Sequence, residues 1–168
     1  TETIQHVLGP CPYGERMRHS RLIKVKHTPT SLLRGKGLDC IEEVQCTDQN
    51  GSIRKVDIVV FEPGSNRAFM VDPTVRYEHN GNIGQDVQEE KMRLYASCAD
   101  SLNAIYKQRF GQRDFQVFGL WIGGRGTIGL EMVKFFEFFR LPKRVLPDLA
   151  EMVLSASIRM IHHHVNGP

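Results

Sequence analysis

The chain has 168 residues, of which 40% are hydrophobic and 24% are charged, and its formal net charge is +3. This length and composition predict one domain with its own hydrophobic core, and the small net charge does not by itself indicate a partner. No apolar run is long enough to span a membrane, no signal peptide is recognisable and the four cysteines are scattered, so we expect an intracellular, reducing compartment and no membrane partner.

The first fourteen residues predict a short helix that breaks at Gly9 and Pro10, with Thr1 as its capping residue. Because the chain begins with Thr1 rather than Met, we expect it to be a piece of a longer protein. His6 and Cys11 stand in the spacing H-x4-C, which is half of a zinc knuckle. Two ligands do not make a structural zinc site, so Zn²⁺ is expected only in a longer chain.

Positive charge is concentrated between residues 12 and 37, where the only acid is Glu15. A helix is predicted over residues 16–35, disturbed at Pro29. Its cations predict a surface that binds DNA phosphates, and the alternative is an ordinary solvated helix face. The residues predicted to contact DNA are Arg16, Arg18, Arg21, Lys24 and Lys26.

Three consecutive strands are predicted after this helix, over residues 38–47, 53–61 and 67–77, and Asn50-Gly51 predicts a hairpin between the first two. Alternation along the second strand puts Val56, Ile58 and Val60 on one face and leaves Asp57 on the other. By the same rule Asp72 lies on the polar face of the third strand. Pro73 cannot donate a ladder hydrogen bond and predicts a strand edge, bulge or end beside it. The two aspartates are therefore expected side by side, as a site for Mg²⁺ or Mn²⁺.

The best helical pattern runs over residues 85–110, with an apolar stripe that contains one cation, Lys91. The stripe consists of Val87, Leu94, Tyr95, Cys98, Leu102 and Ile105. A buried lysine needs a partner or a purpose, the alternative being a side chain whose ammonium reaches solvent. Together with Asp57 and Asp72 it predicts a metal-dependent phosphodiesterase site.

The remaining elements are a strand over residues 115–122, a helix over 127–139 and a last helix over 149–164, with residues 162–164 as an exposed helix end. Gly124, Gly126 and Gly129 match G-x-G-x-x-G. A dinucleotide site is rejected because no second parallel strand ending in an acid follows, so the glycines predict a turn and no small-molecule cofactor is expected.

The order helix, three-strand meander, helix and strand, with acids on the second and third strands, resembles the PD-(D/E)xK restriction-endonuclease-like fold, an α/β architecture with a mixed sheet. The runs Lys55-Val56-Asp57, residues 71–78 (VDPTVRYE) and Lys91-x3-Tyr95, with the H-x4-C, resemble the endonuclease end of site-specific non-LTR retrotransposon polyproteins. The resemblance covers nearly the whole chain. It departs at Val56, where the superfamily has proline, and at Leu22, where a histidine after Arg21 is expected.

The resemblance implies a zinc-knuckle remnant over residues 1–14, an endonuclease core over 15–124 and a helical extension packed on it over 125–168. It implies a Mg²⁺-dependent nuclease that nicks double-stranded DNA in the nucleus, so that the 3′ hydroxyl primes reverse transcription. Its implied partners are the reverse transcriptase region of the same polyprotein and its RNA. Asp57 and Asp72 would be the metal ligands, with Lys91 and Tyr95 also catalytic.

Two alternatives remain open at the level of sequence. One is a nuclease-inactive module that binds nucleic acid on the same fold. The other is an interaction module whose Phe-rich C-terminal helices dock on the rest of a polyprotein, which explains residues 135–139 but leaves the aspartates unexplained.

Overall fold

The helices of this chain lie on both faces of a four-stranded mixed sheet in the computed structural model, which describes residues 3–79 and 81–167. In chain order the elements are α1 (Ile4–Leu8), a 3-10 turn (Pro12–Gly14), α2 (Glu15–Gly35), β1 (Asp39–Thr47), β2 (Ile53–Phe61), β3 (Arg67–Arg76), α3 (Ile83–Tyr95), a second 3-10 turn (Ala96–Cys98), α4 (Ala99–Phe110), β4 (Asp114–Gly123), α5 (Leu130–Phe138) and α6 (Val145–Asn166). None of the helices within the described residues is long and apolar enough to cross a membrane. The mixed α/β class predicted from the sequence is confirmed.

The strands follow chain order in the sheet, with β1, β2 and β3 antiparallel and β3 parallel to β4. The predicted hairpin between β1 and β2 is confirmed, although its loop spans five residues rather than two. The Asp48 carboxylate closes that loop by accepting from the amides of Asn50 and Ser52, both at 2.9 Å, and Gly51 supplies the positive φ of 77° that the turn requires.

A fork opens between β2 and β3 in the middle of the sheet. Their last pair is Ile58 with Val71, whereas β3 stays paired with β4 as far as Arg76. The predicted strand edge beside Pro73 is confirmed, because β3 has no partner on the β2 side from Asp72 onward. A residue without an amide proton suits this position.

Two hydrophobic cores fill the two faces of the sheet. The first packs α2, α5 and α6 against residues such as Ile58, Val60 and Phe69, and the second packs the α3–α4 segment against Val59, Phe61 and others. The rings of α5 belong to the first core, since Phe135 and Phe136 are fully buried there. Phe138 of the same segment is 44% exposed, so the Phe-rich segment packs only partly on the chain's own sheet, and its docking on a partner stays a prediction.

Three helix boundaries differ from the prediction. The single helix predicted over residues 85–110 is two helices, α3 and α4, separated by the 3-10 turn at Ala96–Cys98, and Ile105 is 50% exposed rather than part of the apolar stripe. Helix α5 starts later than predicted because Ile128 still bridges Ile122 of β4. Helix α6 starts at Val145, ahead of the predicted start at residue 149. At the other end of the chain, the predicted cap Thr1 lies outside the described residues. The Thr3 hydroxyl caps α1, accepting from the His6 amide at 3.2 Å.

The strict alternation predicted for β2 is wrong at Val56. Val56 packs in the second core together with Val59, whereas Ile58 lies in the first. Residues an odd number apart in a regular strand face opposite sides, so the strand turns between Val56 and Ile58. The register explains the position, because Glu43 of β1 stands opposite Asp57, drops out of the ladder and has a positive φ of 59°.

The glycines after β4 form a turn, as predicted. Gly126 has a φ of 89°, and a side chain at Gly129 would meet Trp121 at 2.7 Å. The Arg125 amide donates to the carboxylate of Glu78 at 2.9 Å. A loop amide that a phosphate would need is thus already bonded to an acid of this chain.

Candidate active site

Asp57 and Asp72 lie at the mouth of the fork, one residue beyond the last β2–β3 pair. Asp72 is 5% exposed and Asp57 is half-buried. Burial and then the charge of Asp72 raise the pKa of Asp57 to about 6, against the opposing effect of Lys26. The two carboxylates are therefore close enough to repel each other, which is the arrangement expected from the strand pattern.

Helix α3 supplies both partners of the Asp72 carboxylate. The ammonium of Lys91 lies 2.9 Å from Oδ1, and the hydroxyl of Tyr95 donates to Oδ2 at 2.6 Å. Lysine and tyrosine meet one carboxylate because residues four apart lie on the same helix face. Burial and then the charge of Asp72 raise the pKa of Tyr95, so its hydroxyl stays protonated as a donor.

The position of α3 depends on a glycine in β4. A side chain at Gly119 would lie 2.9 Å from the backbone of Val87 and Gln88 and 3.0 Å from Cγ of Lys91. The side-chain amide of Gln88 makes the hydrogen bonds that a neighbouring strand would make with β4. It accepts from the Gly119 amide at 2.7 Å and donates to the Val117 carbonyl at 2.9 Å. This close approach holds Lys91 over the end of β3.

Asp57 has a different cation, Lys26 of α2. Its ammonium lies 3.3 Å from Oδ1 of Asp57 and also contacts the carboxylate of Glu43, which Lys55 contacts from the other side. Although burial lowers it, the pKa of Lys26 is raised overall by the two carboxylates. The lysine is buried and its ammonium contacts two carboxylates, so it does not lie on an exposed face, and its contact with DNA stays a prediction.

Glu43 is the site residue that the sequence did not identify as a primary candidate. It stands opposite Asp57 in the β1–β2 register, and hydrogen bonds from Lys26 and then Lys55 lower its pKa. A positive φ on a residue with a Cβ is uncommon and concentrates at functional sites. The hairpin register could have predicted this position, because pairing Thr47 with Ile53 brings residue 43 opposite residue 57.

Three carboxylates, those of Glu43, Asp57 and Asp72, therefore lie at the fork. Ammonium groups from helix α2 on one side and helix α3 on the other contact them. Carboxylate oxygens are the ligands that Mg²⁺ and Mn²⁺ prefer, and the repulsion that raises the pKa of Asp57 is what a bound cation would relieve. The donor chemistry fits such an ion. Residues 3–79 and 81–167 contain no cluster of three or more His, Cys, Asp or Glu side chains already arranged around one point as metal ligands.

The predicted DNA-binding residues of α2 divide into two groups. Arg21 is buried rather than exposed, donating to Oγ of Ser157 at 2.7 Å and to the carbonyl of Leu8 at 3.4 Å, and its contact with DNA stays a prediction. Arg16 and Lys24 are exposed, and Arg18 is half-buried with a bond to the Cys11 carbonyl. The exposed basic surface is therefore smaller than the sequence suggested.

Cys11 of the predicted zinc-knuckle remnant lies against the C-terminal helix, and His6 lies in α1. Cys11 is buried, and its Sγ is 3.6 Å from Nδ1 of His164. The ring of Tyr13 packs edge-on to the same imidazole, with 6.3 Å between the two ring centroids. The prediction of an ordinary exposed helix end is thus wrong for His164, which is half-buried at the N-terminal segment.

No family model matches the chain, and no curated protein matches it significantly. Among solved structures it is similar to the protein of unknown function AF1548, at 18% identity over 77% of each chain with a TM-score of 0.35. A likeness of that size carries no argument about fold or function.

Proposed function

We propose that the chain is a Mg²⁺-dependent DNA endonuclease domain on a PD-(D/E)xK core, belonging to a non-LTR retrotransposon polyprotein. The observation that carries the proposal is the pair of contacts on Asp72, with Lys91 at 2.9 Å and Tyr95 at 2.6 Å. The sequence resemblance assigns a lysine on the helix after the third strand to this role. A distance of 2.9 Å between that lysine and the second aspartate supports the assignment.

The reaction is hydrolysis of one phosphodiester. A water oxygen forms a bond to phosphorus while the bond from phosphorus to O3′ breaks, which leaves the 3′ hydroxyl required for priming. Lys91 is placed to stabilise the negative charge that builds up on the phosphate oxygens in the transition state, or to orient the water. Tyr95 fixes the rotamer of Asp72 through its hydrogen bond, and Lys26, which also contacts Glu43, holds Asp57 at the fork.

Asp57 and Asp72 would hold the Mg²⁺ or Mn²⁺ ion, with Glu43 as an additional oxygen donor. When bound, such an ion polarises the phosphate and lowers the pKa of water. Double-stranded DNA would approach over Arg16, Arg18 and Lys24 of α2, and the reverse transcriptase region with its RNA would be the partner within the polyprotein. The expected location of this activity is the nucleus.

The test is a plasmid-nicking assay with Mg²⁺ and with EDTA. Nicking should require the metal and should fall by about two or more orders of magnitude in Asp72→Asn and in Lys91→Met, as removal of one electrostatic stabiliser does. Lys107→Met, a change of an exposed lysine on α4, is the matched control and should nick normally. Metal-dependent nicking that survives in Lys91→Met would exclude this mechanism.

A nuclease-inactive nucleic-acid-binding module is the second candidate, and one observation favours it. Lys26 and Lys55 already pair with Asp57 and Glu43, and Lys91 already pairs with Asp72. The fork is therefore also consistent with a structural ion network. This candidate predicts DNA binding without nicking at any Mg²⁺ or Mn²⁺ concentration. It also predicts that Lys91→Met changes stability and leaves DNA affinity unchanged.

A further inference from the structure

A groove of about 350 Å³ runs between helices α2 and α6, away from the aspartates. Its lining contains four cationic side chains and no acidic one; the cations are Arg16, Arg21, Lys24 and Arg159. Three of them come from the predicted basic segment, whereas Arg159 comes from α6, more than a hundred residues later. The fold therefore completes a cationic site that the sequence divides between two distant segments.

Arg21 is a fixed cation in the wall of this groove. It is 3% exposed, and its guanidinium is held by Ser157 of α6 and by the Leu8 carbonyl. Its Nε is buried without a hydrogen-bond partner among the described residues, so one donor of the guanidinium is unused. Burial and then the charge of Arg18 lower the pKa of Arg21 to about 10, and the charge of Glu78 opposes that shift.

The other cations of the groove are also without counter-charges. Within residues 3–79 and 81–167, Arg16, Lys24 and Arg159 take part in no ion pair. Converging like charges repel one another, and a partly enclosed groove screens that repulsion less than open solvent does. Ser20 adds a neutral hydroxyl to the same lining. Guanidinium groups are suited to phosphate because their donors match two oxygens at once.

We propose that this groove binds one phosphate group of a nucleic-acid backbone, with Arg21 and Arg159 as its anchoring guanidiniums. The inference rests on the proposed function only in requiring that the chain binds DNA, and it applies to the inactive module as well.

Arg159→Gln is the variant that tests the groove, because Arg21 is buried and its replacement would perturb the fold. DNA affinity is measured by fluorescence anisotropy across a salt series in EDTA. Loss of one phosphate contact should reduce the slope of log affinity against log salt by about 0.9. Arg144→Gln, an exposed arginine at the start of the same helix, is the matched control and should leave the slope unchanged.

A second measurement uses inorganic pyrophosphate and the amide spectrum of the isotope-labelled chain. Shifts at Ser20 and Ala156 that are lost in Arg159→Gln would support the phosphate site without any DNA. An unchanged salt slope in Arg159→Gln, or an equal change in Arg144→Gln, would overturn the inference. Nicking activity is read separately, so a groove that binds DNA in a chain that never nicks would remove the nuclease proposal alone.

Discussion

The hydroxyl of Tyr95 donates a 2.6 Å hydrogen bond to Oδ2 of Asp72, and both side chains are buried. Tyr95→Phe removes the donor and leaves the carboxylate oxygen without it. The free energy of unfolding should fall by about 1–3 kcal/mol, the usual cost of an unpaired buried polar group. Urea denaturation measures the loss, with Tyr106→Phe as the control because the Tyr106 hydroxyl makes no hydrogen bond within residues 3–79 and 81–167. Equal losses of unfolding free energy in the two variants would show that the Tyr95–Asp72 hydrogen bond does not stabilise the fold.

Lys26→Met is expected to change how the chain responds to Mg²⁺. Without the ammonium, Glu43 and Asp57 face each other uncompensated, so the thermal midpoint should fall in EDTA. Added Mg²⁺ should restore more of the midpoint in this variant than in the unaltered chain, since a ligand of the folded state stabilises by mass action. Differential scanning fluorimetry with and without Mg²⁺ makes the comparison.

The control for that experiment is Lys24→Met on the exposed face of the same helix. Its midpoint should respond to Mg²⁺ as the unaltered chain does. If Lys26→Met and Lys24→Met respond alike, the fork does not bind the cation.

Gly119→Ala should disturb the site without replacing a charged residue. The new methyl group would lie 2.9 Å from the backbone of α3, so the helix must move away from β4 and take Lys91 with it. We expect a loss of about 1–3 kcal/mol of unfolding free energy, typical of overpacking, together with reduced nicking. Gly35→Ala is the matched control, because its Cβ meets nothing within 4 Å. A stable, fully active Gly119→Ala would show that α3 does not depend on this contact.

The thiols should be poor nucleophiles in the folded chain. Burial raises the pKa of Cys40 to about 11 and that of Cys46 to about 12, against an ordinary value of 9.0, and it also raises the pKa of Cys98. Alkylation by iodoacetamide at pH 8 should therefore be slow in the native chain and fast in urea, as followed by mass spectrometry. Rapid native labelling of Cys46 would contradict the burial.

The same thiols give a pH dependence of stability. Above pH 9 the unfolded chain releases thiol protons that the folded chain still holds, so the unfolded state binds fewer protons. The free energy of unfolding should therefore decrease as pH rises from 9 toward 11. Replacing Cys46 by Ala should reduce that slope, which denaturant midpoints at several pH values would detect.

Sequence patterns predicted most of the fold because they depend on local periodicity. The order of elements, the hairpin and the edge beside Pro73 follow from turn residues and alternation, and helical phase alone indicated that Lys91 faces inward. The break between α3 and α4 was not predicted, because the apolar stripe continues at helical spacing through Tyr95 and Cys98 and neither glycine nor proline interrupts it.

The site was predicted only in part, because some of its contacts depend on backbone geometry that no pattern encodes. Lys26 was counted with the exposed cations, although its neighbour Val25 and Thr30, four residues on, are both fully buried. Glu43 reaches Lys26 through a positive φ in the middle of a strand, a conformation that a glutamate does not signal. Arg159 joins Arg21 only after α6 has packed along α2.

The carboxamide of Gln88 has a consequence for assembly. It bonds to the backbone amide of Gly119 and to the backbone carbonyl of Val117, the groups that a fifth strand would use on the outer side of β4. Ile128 bridges Ile122 further along the same side. An open strand edge is a template onto which other chains add. At these positions β4 therefore offers no template for a strand from another molecule.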